Sequence, residues 1–455
     1  MKQGKLKRNM RQIDVWGLAL GAIIGWGCFV LPGNSFLPKA GPLGATIGLL
    51  IGAVAIMFIS FNYGYLIRKY PVSGGEYIYA KNLFGKTHAF ICGWGLILAY
   101  WSLIPLNATA LGLISRYLFP GIIQVGELYQ IQGWDVYAGE IAVSSIFIVI
   151  MGLINIRGIQ SAAWIQTAIA LTLTGGIILL TTLILVQGPE WSNLLPTFST
   201  EGKWWKGVLS IVAMAPWAYI GFDCIPQSAE EYNFNHKKSL GIMILSIFTA
   251  ALCYILVNGI TAIYMPWEEL LNNEKPIWAT GYAVEMLVGN VGLLILGVAM
   301  FCAVVAGMNA FYISTSRLMY AMAQESALPK MFAKLDVKRG TPRNAIIFIM
   351  LISLFAPWFG REILVWIVDM TSVGGSIVFA YTCLSAAVLA HRNQERTQKT
   401  LGIIGFILSL VFLALLIVPG MPGFLTLPSW VALIVWAVLG AIFYFMRRKK
   451  YIHGS

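Results

Sequence analysis

The sequence predicts an all-α membrane protein with twelve transmembrane helices. Of its 455 residues, 58% are apolar and 11% are charged, and the mean hydropathy of +0.76 is far above that of a water-soluble protein. Because each span takes about 20 apolar residues, twelve spans need about 240 residues, which this chain can supply. Little is left for a folded soluble domain, and a water-soluble globule is excluded.

Twelve apolar runs, each bounded by proline, glycine or charged residues, give the predicted segments 1 to 12. The first six cover residues 14–36, 42–67, 87–118, 138–156, 160–186 and 207–228. The other six cover residues 240–264, 290–320, 344–360, 363–390, 401–419 and 429–446. The division between segments 9 and 10, at Gly360-Arg361-Glu362, is the least marked.

The distribution of basic residues predicts the orientation. The chain has 31 Lys and Arg against 19 Asp and Glu, a net charge of +12, which in a soluble protein would suggest a nucleic-acid partner. On these segments, 25 of the basic residues lie on the side of the N-terminus. The six on the opposite side are Lys39, Arg116, Lys203, Lys206, Lys275 and Arg361. By the positive-inside rule the ends of the chain, 1–13 and 447–455, are cytoplasmic, and no nucleic-acid partner is expected.

The cysteines and histidines suggest no metal or cofactor. All six cysteines lie in apolar stretches without a Cys-x-x-Cys pair, so we expect buried free thiols and neither a disulfide framework nor a zinc site. None of the four histidines lies in the middle of a segment, so a histidine proton relay is not expected.

Two of the segments contain helix breakers at their centres. Segment 1 has glycines at Gly21, Gly25 and Gly27, and segment 6 has the run from Pro216 to Asp223. Such interruptions are tolerated in lipid only where the freed backbone groups face protein or water. The two segments are five spans apart, which predicts two inverted repeats, 14–186 and 207–390, followed by the last two helices in 401–446. We expect the two breaks to meet near the midplane.

A broken helix offers bare backbone groups of both signs. In segment 1 the N–H groups of Trp26, Gly27 and Cys28 are the candidate donors to a carboxylate. The candidate acceptors of an ammonium group are the carbonyls of Ile23, Trp217 and Ile220. The other predicted site residues, which open the breaks or line the pocket, are Gly25, Gly221 and Phe222. Alternatively, the glycines of segment 1 only allow close helix packing.

The motif GxxIGxGxF, from Gly21 to Phe29, resembles that of the amino acid, polyamine and organocation (APC) transporter superfamily. Further similar stretches, in order, are Tyr70 to Tyr77, Asn155 to Gly158, Gly221 to Asp223 with Ala229 to Glu231, and Ser316 to Ala323 with Gly340 to Pro342. The resemblance to bacterial amino acid permeases implies the five-plus-five inverted-repeat fold with two extra helices. It also implies uptake or exchange of amino acids or related amines by alternating access in the cytoplasmic membrane.

Trp26 departs from this family pattern, in which the residue between the two glycines is usually small. One interpretation is that its indole caps the substrate cavity and reduces its volume. The other is that the side chain points away and packs against a neighbouring helix.

Asp223 is the carboxylate with the strongest functional prediction, because it lies just past the break of segment 6. An ionised group at that depth must face a polar cavity or be neutralised, so we expect it to carry a proton or to act in a gate. Many relatives have an acidic residue at the matching position. The alternative is a helix-capping Asp without proton traffic.

Several other polar residues have predominantly structural interpretations. Asp369 is expected to bond backbone near the outer end of segment 10, and Arg317 to snorkel at the end of segment 8. Glu230 and Glu231 are expected to hold an inner gate or a basic loop, or to form a solvated face. For Asn107 and Asn309, bonding between helices is preferred to lining the cavity.

The sequence leaves the driving ion open between a proton and sodium. Some relatives place a lysine in segment 5 in the position of a sodium ion, whereas segment 5 here has Thr172 and Thr174 and no lysine, which leaves the matching space open. Sodium could bind there between carbonyls of segment 1 and hydroxyls such as those of Ser314 or Thr315, or the space could be dry or hold water.

The predicted function is therefore secondary transport of an amino acid, with a neutral side chain favoured by the apolar pocket around Trp26, Trp217 and Phe222. A cationic amino acid or a polyamine, paired to Asp223, is the alternative. A membrane enzyme is disfavoured because no His-Glu-x-x-His, Gly-x-Ser-x-Gly or paired intramembrane Asp or His occurs. A sensor is disfavoured because it would need a large output domain. A channel is disfavoured because it would need a ring of filter carbonyls, whereas the two breaks predict a closed site at the midplane.

Overall fold

Long apolar helices make up most of the chain. The computed structural model describes residues 8–131, 134–200, 202–274, 278–360 and 363–453. In chain order the described helices are α1 (Gln12–Ile23), α2 (Gly27–Leu31), α3 (Leu37–Lys69), α4 (Gly75–Phe84), α5 (Lys86–Leu118), α6 (Ala138–Arg157), α7 (Ile159–Val186), α8 (Trp204–Ala213), α9 (Ala215–Ala218), α10 (Cys224–Gln227), α11 (Ser239–Ile263), α12 (Trp267–Glu269), α13 (Ala279–Gln324), α14 (Arg343–Ser353), α15 (Ile363–Arg392), α16 (Arg396–Ile417) and α17 (Leu427–His453).

The length and hydropathy of these helices make the chain a multi-pass membrane protein. Within the described ranges, nine helical stretches are long and apolar enough to cross a membrane, and Gln12–Ile23 and Arg343–Phe359 are apolar but shorter. The number differs from twelve partly because the end of segment 1 runs into segment 2 through Gly41, and partly because segment 6 is divided into short pieces. The count of twelve and the inverted repeat stay predictions.

The ends of most predicted segments agree with the helices within a few residues. Segment 3, predicted over 87–118, is α5, and segment 4, predicted over 138–156, is α6. Charged residues mark both ends well, because Lys86 begins α5 and Arg157 ends α6. The proposed division at Arg361 and Glu362, and the basic residue Lys275, lie outside the described residues.

Two elements between the segments were not predicted. Helix α4 lies between segments 2 and 3, and an antiparallel hairpin of β1 (Glu127–Ile131) and β2 (Trp134–Tyr137) lies between segments 3 and 4. The guanidinium of Arg116 forms an ion pair with the carboxylate of Glu140. The same guanidinium stacks on the ring of Trp134 in the hairpin, with 3.9 Å between its central carbon and the ring centroid. The hairpin is therefore tied to the ends of α5 and α6.

The interrupted helices lie at the centre of the helix packing. Helix α1 packs against α7, α11 and α13, while α9 packs against α3 and α15, and α10 packs against α1 and α13. Five of the six free cysteines are buried, as predicted, whereas Cys302 on α13 is only partly buried.

Candidate functional site

Segment 1 is interrupted between Ile23 and Gly27. The N–H group of Ile24 still donates to the carbonyl of Leu20 at 2.8 Å, but Ile24 itself is extended, with φ −89° and ψ 92°. Helix α2 then starts at Gly27. The chain therefore crosses this depth without continuous helical hydrogen bonding.

Segment 6 is interrupted between Ala218 and Cys224. Gly221 has φ +128°, a conformation that side chains rarely allow, and its N–H group donates to Oδ1 of Asp223 at 2.7 Å. This local hydrogen bond holds the turn from which α10 starts.

The two interruptions contact each other directly. A Cβ atom on Gly221 would lie 2.6 Å from Cβ of Ala22 and 2.7 Å from the backbone nitrogen of Ile23. Only glycine lets the backbones of segments 1 and 6 approach so closely. The expectation that the two broken helices face each other agrees with this packing.

Two tryptophans cover the break of segment 1. The ring of Trp217 lies over Gly27, where a Cβ atom would be 2.2 Å from Cη2 of the indole. The rings of Trp26 and Trp217 meet edge to face, with centroids 6.1 Å apart. Both indole N–H groups are buried, and neither has a hydrogen-bond partner among the described residues. Buried donors of this kind are normally satisfied, so they are available to a polar solute or to water.

Beside Trp26 lies a cavity of ≈ 550 Å³, which we call the outer cavity. We call the side of the molecule with the N-terminus the inner side and the opposite side the outer side. Trp26 lines the cavity, and Lys39 and Asp369 bring charges of opposite sign to it. Asp369 accepts from the Ser429 hydroxyl at 2.6 Å and from the backbone N–H of Thr426, so it bonds backbone, as expected, and also a side chain of α17. Trp26 thus borders this cavity and contacts Trp217, and whether its indole caps a substrate site stays a prediction.

The predicted backbone donors and acceptors are partly engaged in this conformation. The N–H of Trp26 donates to Oδ1 of Asn107 at 3.4 Å, and that of Cys28 donates to the Gly25 carbonyl at 3.3 Å. The Trp217 carbonyl accepts from the N–H of Ile220 at 3.3 Å. Within the described residues, no backbone bond across the breaks engages the N–H of Gly27 or the carbonyls of Ile23 and Ile220. Their role toward a substrate stays a prediction.

The amide of Gln166 on segment 5 lies between segments 1 and 8. Its Nε2 donates to the carbonyls of Gly17, at 3.2 Å, and Ala306, at 3.1 Å. A Cβ atom on Gly21 would lie 2.2 Å from the same nitrogen.

The hydroxyls of Ser314 and Thr315, the candidate sodium ligands of segment 8, are buried and have no hydrogen-bond partner among the described residues, so the expectation of an open space stays a prediction. Thr172 and Thr174 of segment 5 bond carbonyls of their own helix.

The two asparagines bond between helices, as preferred. Asn309 donates to Oε1 of Gln166 at 2.9 Å and accepts from Asn155 at 2.8 Å. Asn107 bonds the Trp26 backbone and its own helix at Leu103.

The inner side is closed by backbone bonds and a buried ion pair. The N–H of Met10 donates to the Glu231 carbonyl at 3.0 Å, and the N–H of Asn233 donates to the Met10 carbonyl at 3.1 Å. Arg317 pairs with the Glu231 carboxylate at 3.0 Å, and both side chains are 1% exposed. Burial raises the pKa of Glu231, although the Arg317 guanidinium partly offsets this.

These contacts correct two expectations. Arg317 does not snorkel, because its guanidinium is buried against Glu231. Nor do the two glutamates form a solvated face: Glu231 is buried, and Glu230 accepts from the N–H of Ser73 at 3.0 Å. Whether the two glutamates act as a gate or hold a loop stays a prediction.

The sequence reasoning missed several residues at the breaks. Gln166, Tyr100, Glu76 and Gln227 are all buried near segments 1 or 6. For Glu76 a signal was present, since it belongs to the stretch from Tyr70 to Tyr77 that resembles the family. For the amides, a polar residue within an apolar run was the only available signal.

Comparison with known proteins identifies the family of this chain. The family described as amino acid permease matches residues 11–443. The methylthioribose transporter of Bacillus subtilis (strain 168) is 26% identical over 99% of this chain and 95% of its own length. The branched-chain amino acid permease BcaP of the same organism is 25% identical over 98% and 94%. Cationic amino acid transporter 4 of Mus musculus is 26% identical over 87% of this chain and 61% of its own length. The chain belongs to the amino acid permease family, within the APC superfamily.

Proposed function

We propose that this protein is a secondary transporter that moves a neutral amino acid across the bacterial cytoplasmic membrane by alternating access. The observation that carries the proposal is the contact of the two broken helices at Gly221, with unpaired groups of both signs beside it. The N–H of Gly27 and the two indole N–H groups are donors suited to a carboxylate. The carbonyls of Ile23 and Ile220 are acceptors suited to an ammonium group.

The tryptophan pair supports a neutral side chain. The rings of Trp26 and Trp217 lie beside Gly27, where we place the substrate. Both rings are apolar surfaces that carry no charge, which suits an uncharged substrate side chain. Asp223 lies on the far side of the break and holds the backbone of Gly221. A cationic amino acid or amine, with its charge at Asp223, is the second candidate, because one carboxylate oxygen of Asp223 is buried without a partner among the described residues. The named relatives include a transporter of each amino acid class.

The position of Gln166 supports transport without sodium. A sodium ion between segments 1 and 8 would be held by carbonyl and hydroxyl oxygens, the ligands that hard cations prefer. Here the amide of Gln166 already donates to one carbonyl of each segment. The driving ion is then a proton, or transport proceeds by exchange.

The proposed architecture follows the sequence prediction. Twelve helices form two inverted repeats of five, with helices 1 and 6 broken, and two further helices. Both chain ends lie in the cytoplasm. The closed inner side and the outer cavity support an outward-facing state in the present structure.

The test is a thermal-shift screen of the purified protein against amino acids and amines, each in sodium chloride and in choline chloride. Ligand at 100 times its Kd stabilises the folded state by about 2.7 kcal/mol, which raises the melting temperature measurably. We expect neutral amino acids to raise it equally in both salts. Stabilisation by cationic amines alone would favour the second candidate, and stabilisation that requires sodium would contradict the assignment of Gln166. If none of the amino acids or amines raised the melting temperature, the proposal would be overturned.

Removal of the Trp26 indole should broaden the specificity. In Trp26→Ala we expect the affinity for larger neutral amino acids, relative to smaller ones, to rise about tenfold, which corresponds to about 1.4 kcal/mol, because the pocket becomes larger. The measurement is competition by a series of unlabelled amino acids. Trp205→Ala, which removes an exposed tryptophan of α8, is the matched control and should leave the series unchanged. An unchanged series in Trp26→Ala would place the indole outside the substrate pocket.

A further inference from the structure

A cluster of buried polar side chains lies on the inner side of the segment 6 break. We call it the inner polar cluster and define it as Tyr63, Glu76, Tyr100, Asp223 and Gln227. All five side chains are 1% exposed or less. Gln227 lies one helical turn after Asp223, and its Nε2 donates to Oε2 of Glu76. The amide thus links the helix that carries Asp223 to Glu76 at the start of α4.

The glycine pair before Glu76 is shaped to admit this link. Gly75 has φ +39°, and a Cβ atom on it would lie 2.8 Å from Nε2 of Gln227. A larger residue would push the amide away from the carboxylate. The stretch Gly74-Gly75-Glu76 therefore turns a carboxylate from the loop after segment 2 into the interior.

The two carboxylates of the cluster have no cation to balance them. Among the described ion pairs none involves Glu76 or Asp223. The buried cation Arg317 is engaged by Glu231. Two buried carboxylates that share one site cannot both stay ionised, because desolvation and mutual repulsion both oppose it. At neutral pH the pair must therefore hold at least one proton.

The cluster also contains polar atoms whose hydrogen bonding is incomplete. Within the described residues, Oδ2 of Asp223, Oε1 of Glu76, Oε1 of Gln227 and the hydroxyls of Tyr63 and Tyr100 make no hydrogen bond of good geometry. The Tyr63 hydroxyl nevertheless lies close to Glu76, and the Tyr100 hydroxyl lies close to Asp223. Buried polar atoms are normally satisfied, by ordered water where no protein group is in reach. Waters bridging these atoms would join the two carboxyl groups by hydrogen bonds along which a proton can move.

The groups that face Glu76 cannot replace it as proton carriers at neutral pH. They are Tyr63 on α3, Tyr79 on α4, Cys92 and Tyr100 on α5, and Asp223 and Cys224 at the segment 6 break. Apart from Asp223 these are phenols and thiols, which ionise only well above pH 7 even in water. Burial raises the pKa of the Glu76 carboxyl, and the nearby charge of Asp223 raises it further.

We propose that Glu76 is a second proton site of the transport cycle, which shares one proton with Asp223. The proton leaves the Asp223 carboxyl and binds the carboxylate of Glu76, so the charge of the pair is −1 before and after this transfer. Separation of α4 from segment 6 then exposes Glu76 to water on the inner side, where it releases the proton. The pair carries −2 only in this hydrated state, until Asp223 takes up the next proton from the outer side. This inference rests on the proposed function and names the proton as the coupled ion.

The experiment compares Glu76→Gln with Asp223→Asn in proteoliposomes. Uphill uptake driven by an imposed pH gradient is measured beside counterflow exchange, which needs no net proton movement. We expect Glu76→Gln to lose uphill uptake and to keep exchange and substrate-induced thermal stabilisation. Glu76→Asp, which restores a carboxyl group, should regain uphill uptake with a shifted pH dependence. Glu325→Gln is the control, since it removes a carboxylate that contacts α4 through Lys81 but lies outside the cluster.

The outcomes separate this inference from the proposed function. If Asp223→Asn loses uphill uptake but Glu76→Gln keeps it with an unchanged pH profile, Glu76 is not a proton site. If both uptake and exchange are lost in Glu76→Gln and in Glu76→Asp alike, the residue is structural and the inference fails. If a sodium gradient, but no pH gradient, drives uptake in the wild type, the coupling part of the proposed function falls as well.

Discussion

Asp223→Asn is expected to abolish uphill uptake and to leave exchange intact. The asparagine keeps an oxygen that can accept the N–H of Gly221, now at 2.7 Å from Asp223, so the break of segment 6 keeps its shape. What the variant lacks is a group that can gain and lose a proton. A gradient of one pH unit is worth about 1.4 kcal/mol and supports about tenfold accumulation for one coupled proton. The variant should not accumulate substrate under such a gradient.

The measurement is uptake at a series of imposed pH gradients, with counterflow as the control for folding and binding. Retained accumulation with an unchanged pH dependence would remove Asp223 from the coupling mechanism. Loss of binding of a cationic substrate, with neutral amino acids unaffected, would instead assign Asp223 to the charge of the substrate. The two results therefore distinguish the two candidate functions.

Gly221→Ala is expected to eliminate transport and to destabilise the protein. Its φ of +128° costs an alanine about 1 to 3 kcal/mol in strain. The added Cβ would also lie 2.6 to 2.7 Å from Ala22 and Ile23, and such overlap costs about 1 to 3 kcal/mol more. Relief of the overlap must push segment 6 away from segment 1, which separates the groups that we assign to the substrate.

The matched control is Gly175→Ala in α7. Nothing lies within 4 Å of the position that its Cβ would take, so this variant should keep wild-type transport and stability. The two proteins are compared by melting temperature and by equilibrium substrate binding. Wild-type binding in Gly221→Ala would mean that the contact between the breaks is not part of the site.

The membrane segments and their interruptions could be predicted because their physical causes are local. An apolar run near 20 residues is legible in the sequence, and charges such as Lys86 and Arg157 mark its ends. The breaks were legible as well, because Gly25, Gly27 and Gly221 are poor residues for an uninterrupted helix in lipid.

The contacts at the breaks could not be predicted, because they join residues far apart in the chain. The ring of Trp217 lies over Gly27, and the amide of Gln166 fills the space beside Gly21. Both depend on which helix faces align, and an apolar segment without a polar stripe gives little information on its rotation. Arg317 was misassigned for the same reason: its position near a segment end suggested snorkelling, while its partner Glu231 follows a different segment.

Helix α4 and the hairpin β1–β2 were missed for a different reason. Their sequences mix polar and apolar residues over short lengths, where hydropathy has no clear period. Their placement comes from the segments that they join, as for the hairpin held at Arg116.

The strand-like pairing of Met10 with residues 231–233 joins the residues before α1 to the loop after segment 6 on the inner side. Each of its two backbone bonds contributes about 0.5 to 1.5 kcal/mol, and in the proposed transport cycle both must break before α1 can move away from segment 6. In that cycle the residues that precede α1 would set part of the balance between the closed and open forms, by thermodynamic linkage. Removal of residues 1–10 would remove both backbone bonds and shift that balance toward the open form.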